Sequence, residues 1–506
     1  MRTRNSLLNI SSGLVGQLLT LIIGFVVRTV FIYQLDAVFL GISGLFSNIL
    51  TLFSFAELGF GQAIIYALYK PIANNDEPKI ASLMFLYKKV YTAMFFVVLL
   101  LGISIYPFLD FFVKDSGEIP HLNIIYLMYV ISSSSSYLFA YKNTLIIAAQ
   151  KNYITNVISY FFTIIVAILQ IITLLIFYNF FVYLAIQIAF SIIQNVVVAY
   201  KCDIIFPFLK GKEVLPLNKE EKNEIIKNVK ALAIYKIGTL SLNSTDNIII
   251  SKFVGLLAVG FYSNYLLLTA SVSSILSTIF GNITASIGNL NANGDGEAKY
   301  RMFFIINMAT FWLYSVAGIV LFCSMTPFIH IWIGDEYILE DGVVLIMVLN
   351  IYIAGMLYSS FNYRQTMGLF RQGKIRPIIS AVLNIILSVL FAKYWGIAGV
   401  LWGTAITRLL TNGWYDPYIV FKRGFKSSPL PYFRDYFFKM IVLLFTGFLC
   451  FYITRLMPKD NFMHIVFITV VSFVISNSIY IILFYRTSEF IYLKNVFFNI
   501  KSIIKK

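Results

Sequence analysis

The chain has 506 residues, 59% hydrophobic and 12% charged, with a mean hydropathy of +0.82 and a formal net charge of +16. Ordinary soluble chains carry about 25% charged residues, so the composition excludes a soluble globular protein and predicts an all-α polytopic membrane protein. The apolar runs are continuous rather than alternating, which excludes an outer-membrane barrel.

The first run begins behind MRTRNSLLNISSG and continues to Tyr33. That is too long for the core of a cleavable signal, and it reads as a retained first helix. A spanning helix needs about 20 mostly apolar residues. Such runs occur at 7–34, 37–67, 90–113, 122–149, 153–178, 180–200, 231–254, 257–288, 302–329, 338–368, 376–394, 396–420, 437–456 and 463–485, which predicts fourteen transmembrane helices.

Placing the N-terminus inside puts 30 of the 39 Lys and Arg residues in inner segments and five in outer ones. This asymmetry places both termini in the cytoplasm of a bacterial cytoplasmic membrane. It also accounts for the +16 by topology and contact with anionic lipid, without nucleic acid. The outer loops are short, too small to house an enzyme acting on that face. The largest inner loop, 201–230, has mixed charge, and the tail EFIYLKNVFFNIKSIIKK reads as an interfacial helix on the inner leaflet.

The halves on either side of that loop repeat each other. At an offset of 219, Asn9 meets Asn228, Gly41 meets Gly260, Ser54 meets Ser273 and ANND (73–76) meets ANGD (292–295). The offset then slips to 220, where PFLDFFVKD (107–115) meets PFIHIWIGD (327–335). Six spans per repeat is an even number, so the repeats run parallel, with an axis along the membrane normal. The expected organisation is an N-lobe at 1–201, an inter-lobe loop at 202–230, a C-lobe at 231–422, two further spans at 423–485 and a basic tail at 486–506.

The segments LVGQLLTLIIGFVVRTVFIYQL and VFLGISGLFSNILTLFSFAELGFGQAIIYALYKPIA resemble the first two helices of Wzx-type polysaccharide repeat-unit flippases. These belong to the multidrug/oligosaccharidyl-lipid/polysaccharide exporter superfamily. The AELG…IIYALYKP stretch carries most of the likeness. The resemblance implies two six-helix lobes forming a V-shaped central cavity, with two extra helices. It also implies translocation of undecaprenyl-pyrophosphate-linked oligosaccharide from the inner to the outer leaflet. The polymerase and glycosyltransferases of such a pathway would be partners.

Charges inside spans are functional hypotheses by default. Arg28 ends a stripe of small and polar residues on one helical face: Asn9, Gly13, Gln17, Thr20, Gly24, Arg28. That face should line a wet cavity or a close helix contact; snorkelling of Arg28 to the outer headgroups is the rival reading. Span 7 carries a matching stripe of Lys236, Thr239, Asn243 and Asp246, and the repeat maps Arg28 onto Asn247. Where spans 1 and 7 face each other, as the family implies, Arg28 and Asp246 form an outer gate that opens or re-pairs with pyrophosphate. Lipid II flippases are similar in having an arginine near the end of span 1, but here Thr29 replaces the acidic residue that follows it.

Lys236 either attracts pyrophosphate from inside or snorkels inward. Lys142 in span 4 and its counterpart Arg364 in span 10 bind lipid headgroups or line the cavity. Arg408, in the middle of span 12, is expected to be buried or to face the cavity. Glu57 either accepts a hydrogen bond from helix-end backbone or a tyrosine, or forms a proton or sodium site coupled to transport. With Arg364 counted among the inner segments, the in-span charges read as four basic residues (Arg28, Lys142, Lys236 and Arg408) and two acidic ones (Glu57 and Asp246). Cys202, Cys323 and Cys450 are too far apart in sequence for a disulfide framework. His121, His330 and His464 cluster with nothing, so neither a metal nor another cofactor is expected.

No nucleotide-binding G-x-x-x-x-G-K-[ST] motif is present, so energy should come from a proton, sodium, potential or substrate gradient. The favoured reading is an alternating-access flippase. A multidrug or cation antiporter would prefer an acidic cavity, a lipid II flippase differs at Thr29, and a polymerase or ligase would need a large outer loop.

Overall fold

The computed structural model describes residues 2–53, 57, 60–113, 119–211, 217–218, 220–221, 223, 225–226, 229, 244–281, 283–369, 373 and 375–504, with the side chains at 2–12 and 497–504 and a few others left out. The described residues are almost wholly helical, without strands. They divide into two compact units, 1–260 and 261–506.

The first unit comprises α1 (Arg2–Gln34), α2 (Ala37–Phe53), α3 (Phe60–Ala73), α4 (Glu77–Ile105), α5 (Leu109–Phe112), α6 (Leu122–Ser135), α7 (Tyr137–Ala148), α8 (Asn152–Phe177), α9 (Phe180–Ile205) and α10 (Asp246–Phe253). Helix α1 packs on α8, where Gly16 admits the ring of Tyr160: a Cβ at Gly16 would lie 1.8 Å from it. Helix α4 packs on α6 and α7, and its inner end forms an apolar core around Met84, Tyr87, Leu145 and Ile146. The large inner loop is not simply a solvated linker. Its Leu217, Ile225 and Val229 are buried in that core, and Glu221 pairs with Lys79 of α4.

Helix α11 (Leu256–Gly281) crosses the boundary. The second unit continues with α12 (Thr284–Asn293), α13 (Gly296–Ile333), α14 (Asp341–Thr366), α15 (Arg376–Arg408), α16 (Trp414–Ile419), α17 (Leu430–Arg455), α18 (Phe462–Phe484) and α19 (Ser488–Ile504). Helix α13 is the hub, packing against α14, α17, α18 and α19. The division falls beyond the expected loop at 202–230 because α10 packs on α2 and α5.

Eleven helices among the described residues are long and apolar enough to span a membrane, and Ala37–Phe53 and Ile64–Ala73 are shorter apolar helices. One of the eleven, Arg376–Phe425, is two passes. Gly396 (φ 53°, ψ −128°) reverses the chain. After the turn, Gly399 lies against the Phe391 carbonyl and Gly403 against the backbone of Ser388, so the two arms fold onto each other. This matches the expected break between 376–394 and 396–420. Span 2 differs from the expected single run at 37–67: its described parts are two helices ending at Phe53 and starting at Phe60. Most of span 7 (231–243) lies outside the described residues.

The ANND/ANGD repeat has a local physical role. Asp76 caps α4 by accepting from the Lys79 amide at 3.1 Å, and Asp295 caps α13 by accepting from the Ala298 amide at 2.6 Å. Each cap satisfies a helix-end donor that would otherwise lack a partner.

Candidate functional site

Along α1 the stripe and the packing face separate. A Cβ at Gly13 or Gly24 would meet nothing within 4 Å, and Thr20 is exposed. Gly16, off the stripe, makes the close helix contact instead. Among the described residues the glycine stripe is thus an open face, and Gln17 and Arg28 lie half-buried along it. Arg28 interacts electrostatically with Tyr183 at the start of α9. Phe31, one turn on, fixes this corner by packing edge-on against Tyr183 (5.2 Å) and Phe180 (5.9 Å).

Asp246 begins α10, where a carboxylate complements the helix dipole. The next residue, Asn247, is buried and donates towards the Gly44 carbonyl at 3.5 Å. Lys236 and Asn243 lie outside the described residues.

Glu57 sits between α2 and α3. Its Oε1 accepts from the Tyr91 hydroxyl at 3.1 Å, and a Cβ at Gly61 would lie 2.8 Å from that oxygen. Tyr87, one turn before Tyr91, donates to the Gly61 carbonyl at 2.9 Å. Tyr137 completes an aromatic wall, with its ring centroid 6.3 Å from that of Tyr91. The Glu57 carboxylate is thus tied to α4 by the Tyr91 phenol.

Lys142 and Arg364 occupy equivalent places. Lys142 of α7 binds Asp203 of α9 at 2.6 Å, joining the fourth span to the sixth. Arg364 of α14 binds Asp416 of α16, again joining the fourth to the sixth span of its repeat. In the second unit Arg376, at the start of α15, approaches the same Asp416 oxygen. The charge that Lys142 and Arg364 could offer a phosphate is therefore already engaged by carboxylates in this conformation. Arg408 is half-buried and donates from Nη1 to the Asn350 carbonyl (3.0 Å) and its side-chain oxygen (3.3 Å).

Besides Asp203, two carboxylates escape the sequence reading. Asp416 lies inside the run 396–420, in WYDPY, so the in-span acids number more than Glu57 and Asp246; its position within an apolar run was the available signal. Asp435 lies in α17, where it accepts from Lys439 at 2.6 Å and from Asn307 at 3.1 Å. Lys439 therefore belongs to the bundle rather than to an inner loop: it is 3% exposed and lies over the Phe311 ring. No group of three His, Cys, Asp or Glu residues able to hold a metal occurs among the described residues.

No protein-family model and no curated protein matches the sequence. Solved structures do match. The lipid II flippase MurJ in an inward closed conformation aligns with TM-score 0.62 and 17% identity over 93% of this chain and 99% of that one. An inward-facing multidrug resistance MATE family transporter of the MOP superfamily aligns with TM-score 0.59 and 12% identity over 78% of this chain and 93% of that one. The Vibrio cholerae MATE transporter VcmN gives 0.53 and 14% over 82% and 96%. These proteins are a flippase and two transporters, and the chain shares their multi-pass helical fold.

Proposed function

We propose that the chain carries a lipid-linked oligosaccharide, joined through pyrophosphate to an undecaprenyl-type carrier, from the inner to the outer leaflet by alternating access. The observation that carries this reading is coverage. The flippase spans 93% of this chain, while the multidrug transporters, themselves almost fully covered, span 78% and 82%. The length that this chain has beyond a multidrug exporter thus has a counterpart in a flippase. The open polar face of α1 ending in Arg28 supports a wet, cationic lining suited to pyrophosphate.

In this reading both termini are cytoplasmic, the basic inner segments bind anionic lipid, and pathway glycosyltransferases and a polymerase supply and consume the cargo. Arg28 and Asp246 act as an outer gate pair, with Lys236 and Asn243 along the opposing stripe. Glu57, held by Tyr91, is the proposed site of proton or sodium coupling. Reconstitution in proteoliposomes tests the reading. Undecaprenyl-pyrophosphate oligosaccharide should become accessible to an outside glycosidase in a protein-dependent way. Efflux of a cationic drug without lipid movement would instead establish the antiporter.

A further inference from the structure

The first turns of α2 and α11, far apart in sequence, meet through a reciprocal contact. A Cβ on Gly41 would lie 2.0 Å from the Leu256 carbonyl oxygen, and one on Gly260 would lie 2.3 Å from that of Ala37. Gly41 and Gly260 are repeat partners at the offset of 219, and so are Ala37 and Leu256. Exchanging the two repeats therefore converts one contact into the other.

Neither glycine is needed for its backbone freedom, since neither has a positive φ. Each sits within a helix, where glycine costs about 1 kcal/mol relative to alanine. Their benefit is the close approach itself, backbone against backbone. Neighbouring contacts extend the seam. Asn247 reaches the Gly44 carbonyl, and a Cβ at Gly44 would lie 3.2 Å from Val259 Cγ1. Ser251 donates to the Phe112 carbonyl at 2.9 Å, and Lys252 lies over the Phe111 ring at 4.7 Å. Ala37 and Leu256 both start helices, and the charge asymmetry assigns the ends of spans 1 and 7 that precede them to the outer side.

We propose that this glycine crossing is the outer barrier of the transport pathway: Gly41 and Gly260 together permit the closed outer face, and the seam parts when the substrate leaves. This rests on the alternating-access reading, and it names positioning residues distinct from any charged gate pair. A contact made of carbonyls and α-carbons holds without long side chains that would have to be re-ordered on each cycle.

Two consequences distinguish a barrier from static packing. First, Gly41→Ala and Gly260→Ala strain one and the same crossing, so the displacement that relieves one relieves the other. Their effects should be far from additive. Second, a disulfide across the seam should arrest transport reversibly. Gly44→Cys with Val259→Cys places two thiols within reach, and the native cysteines are all buried.

In inverted or right-side-out vesicles, the oxidised 44/259 pair should crosslink in high yield, abolish lipid translocation, and regain it on reduction. Gly41→Ala and Gly260→Ala should each lower the crosslink yield about tenfold, in the range that overpacking gives, and raise labelling of a cysteine at 44 by membrane-impermeant maleimide. The double variant should look like either single one. A crosslinked protein that transports at the uncrosslinked rate overturns the barrier, as does Gly41→Ala with unchanged crosslinking and labelling. Maleimide access that changes with the glycine variants while no oligosaccharide moves would retain the barrier and refute the substrate.

Discussion

Asp416 serves two buried guanidiniums, and Asp416→Asn should be the most damaging single ionic change in the second unit. The side chain of Asp416 is 1% exposed, and those of Arg364 and Arg376 are 7% and 10% exposed. The Nε of each arginine is buried without a hydrogen-bond partner. The three side chains together carry a charge of +1, so the carboxylate is the scarce component. Removing it leaves two cations in a low-dielectric site with no counter-charge, a loss of roughly 3–5 kcal/mol by analogy with other broken buried pairs. Arg376→Gln gives up one charge-assisted contact but also removes the surplus cation. Its net effect should lie within about 1.5 kcal/mol of zero. The two substitutions should therefore differ by at least about 1.5 kcal/mol, and Asp416→Asn combined with Arg364→Gln should recover part of the loss. Detergent-solubilised variants heated in steps, then passed over a size-exclusion column, report the folded fraction. A chain this large need not unfold in one step, so the ranking of midpoints is the readout. Arg376→Gln as damaging as Asp416→Asn, or a neutral Asp416→Asn, refutes the reasoning.

Further outcomes are expected at other sites. Tyr91→Phe removes a hydrogen bond to the Glu57 carboxylate and should destabilise the first unit by about 1.5–3 kcal/mol; an unchanged thermal midpoint contradicts this. Asp76→Ala and Asp295→Ala each remove a helix cap and should cost about 1 kcal/mol apiece. The caps lie in separate units, so a double variant should show their sum. Glu221 is held below the usual carboxylate range by its hydrogen bond from Lys79, which outweighs the opposing effect of burial. A depressed folded pKa stabilises above the unfolded value and loses that contribution as pH falls through the folded one. Proteolysis within 202–230 should therefore rise only below about pH 4, near the ordinary glutamate value, and Lys79→Gln should abolish that dependence. Arg28→Gln should lower translocation about tenfold or more, the scale of a lost charge contact, with little change in thermal stability, whereas Arg28→Lys should retain part of it; equal rates for all three would return Arg28 to a snorkelling role.

The architecture was legible because burial in lipid imposes a simple rule: each pass must be helical and apolar. The turn at Gly396 was visible as a gap between two runs, and the helix caps at Asp76 and Asp295 were visible as a repeated ANND/ANGD. Charge pairing was less legible. Lys142 and Arg364 stood out as isolated cations because their partners, Asp203 and Asp416, follow 61 and 52 residues later. Hydropathy cannot show that a distant carboxylate turns towards a cation. Lys439 illustrates the opposite error: a lysine near a span end reads as a loop residue, yet Asp435 one turn earlier lets it enter the bundle. The open face of α1 was legible as a stripe. Sequence alone could not tell a cavity face from a close contact, because glycine serves both. Gly13 and Gly24 prove open while Gly16 receives Tyr160.

These pairings redistribute the work among the basic candidates. A pyrophosphate must be attracted by charge that is not already neutralised by a carboxylate at contact distance. Lys142 and Arg364 meet Asp203 and Asp416 within their own units, and their equivalent placement between fourth and sixth spans marks them as braces of each repeat. Arg408 is tied to a backbone carbonyl and an amide oxygen, which hold its orientation. Arg28 lies beside a phenol on the open stripe of α1. Substitution of Lys142 or Arg364 should accordingly act through stability, and substitution of Arg28 through transport. On the proposed flippase reading, the open stripe of α1 that ends in Arg28 is therefore the face to test first for contact with the pyrophosphate.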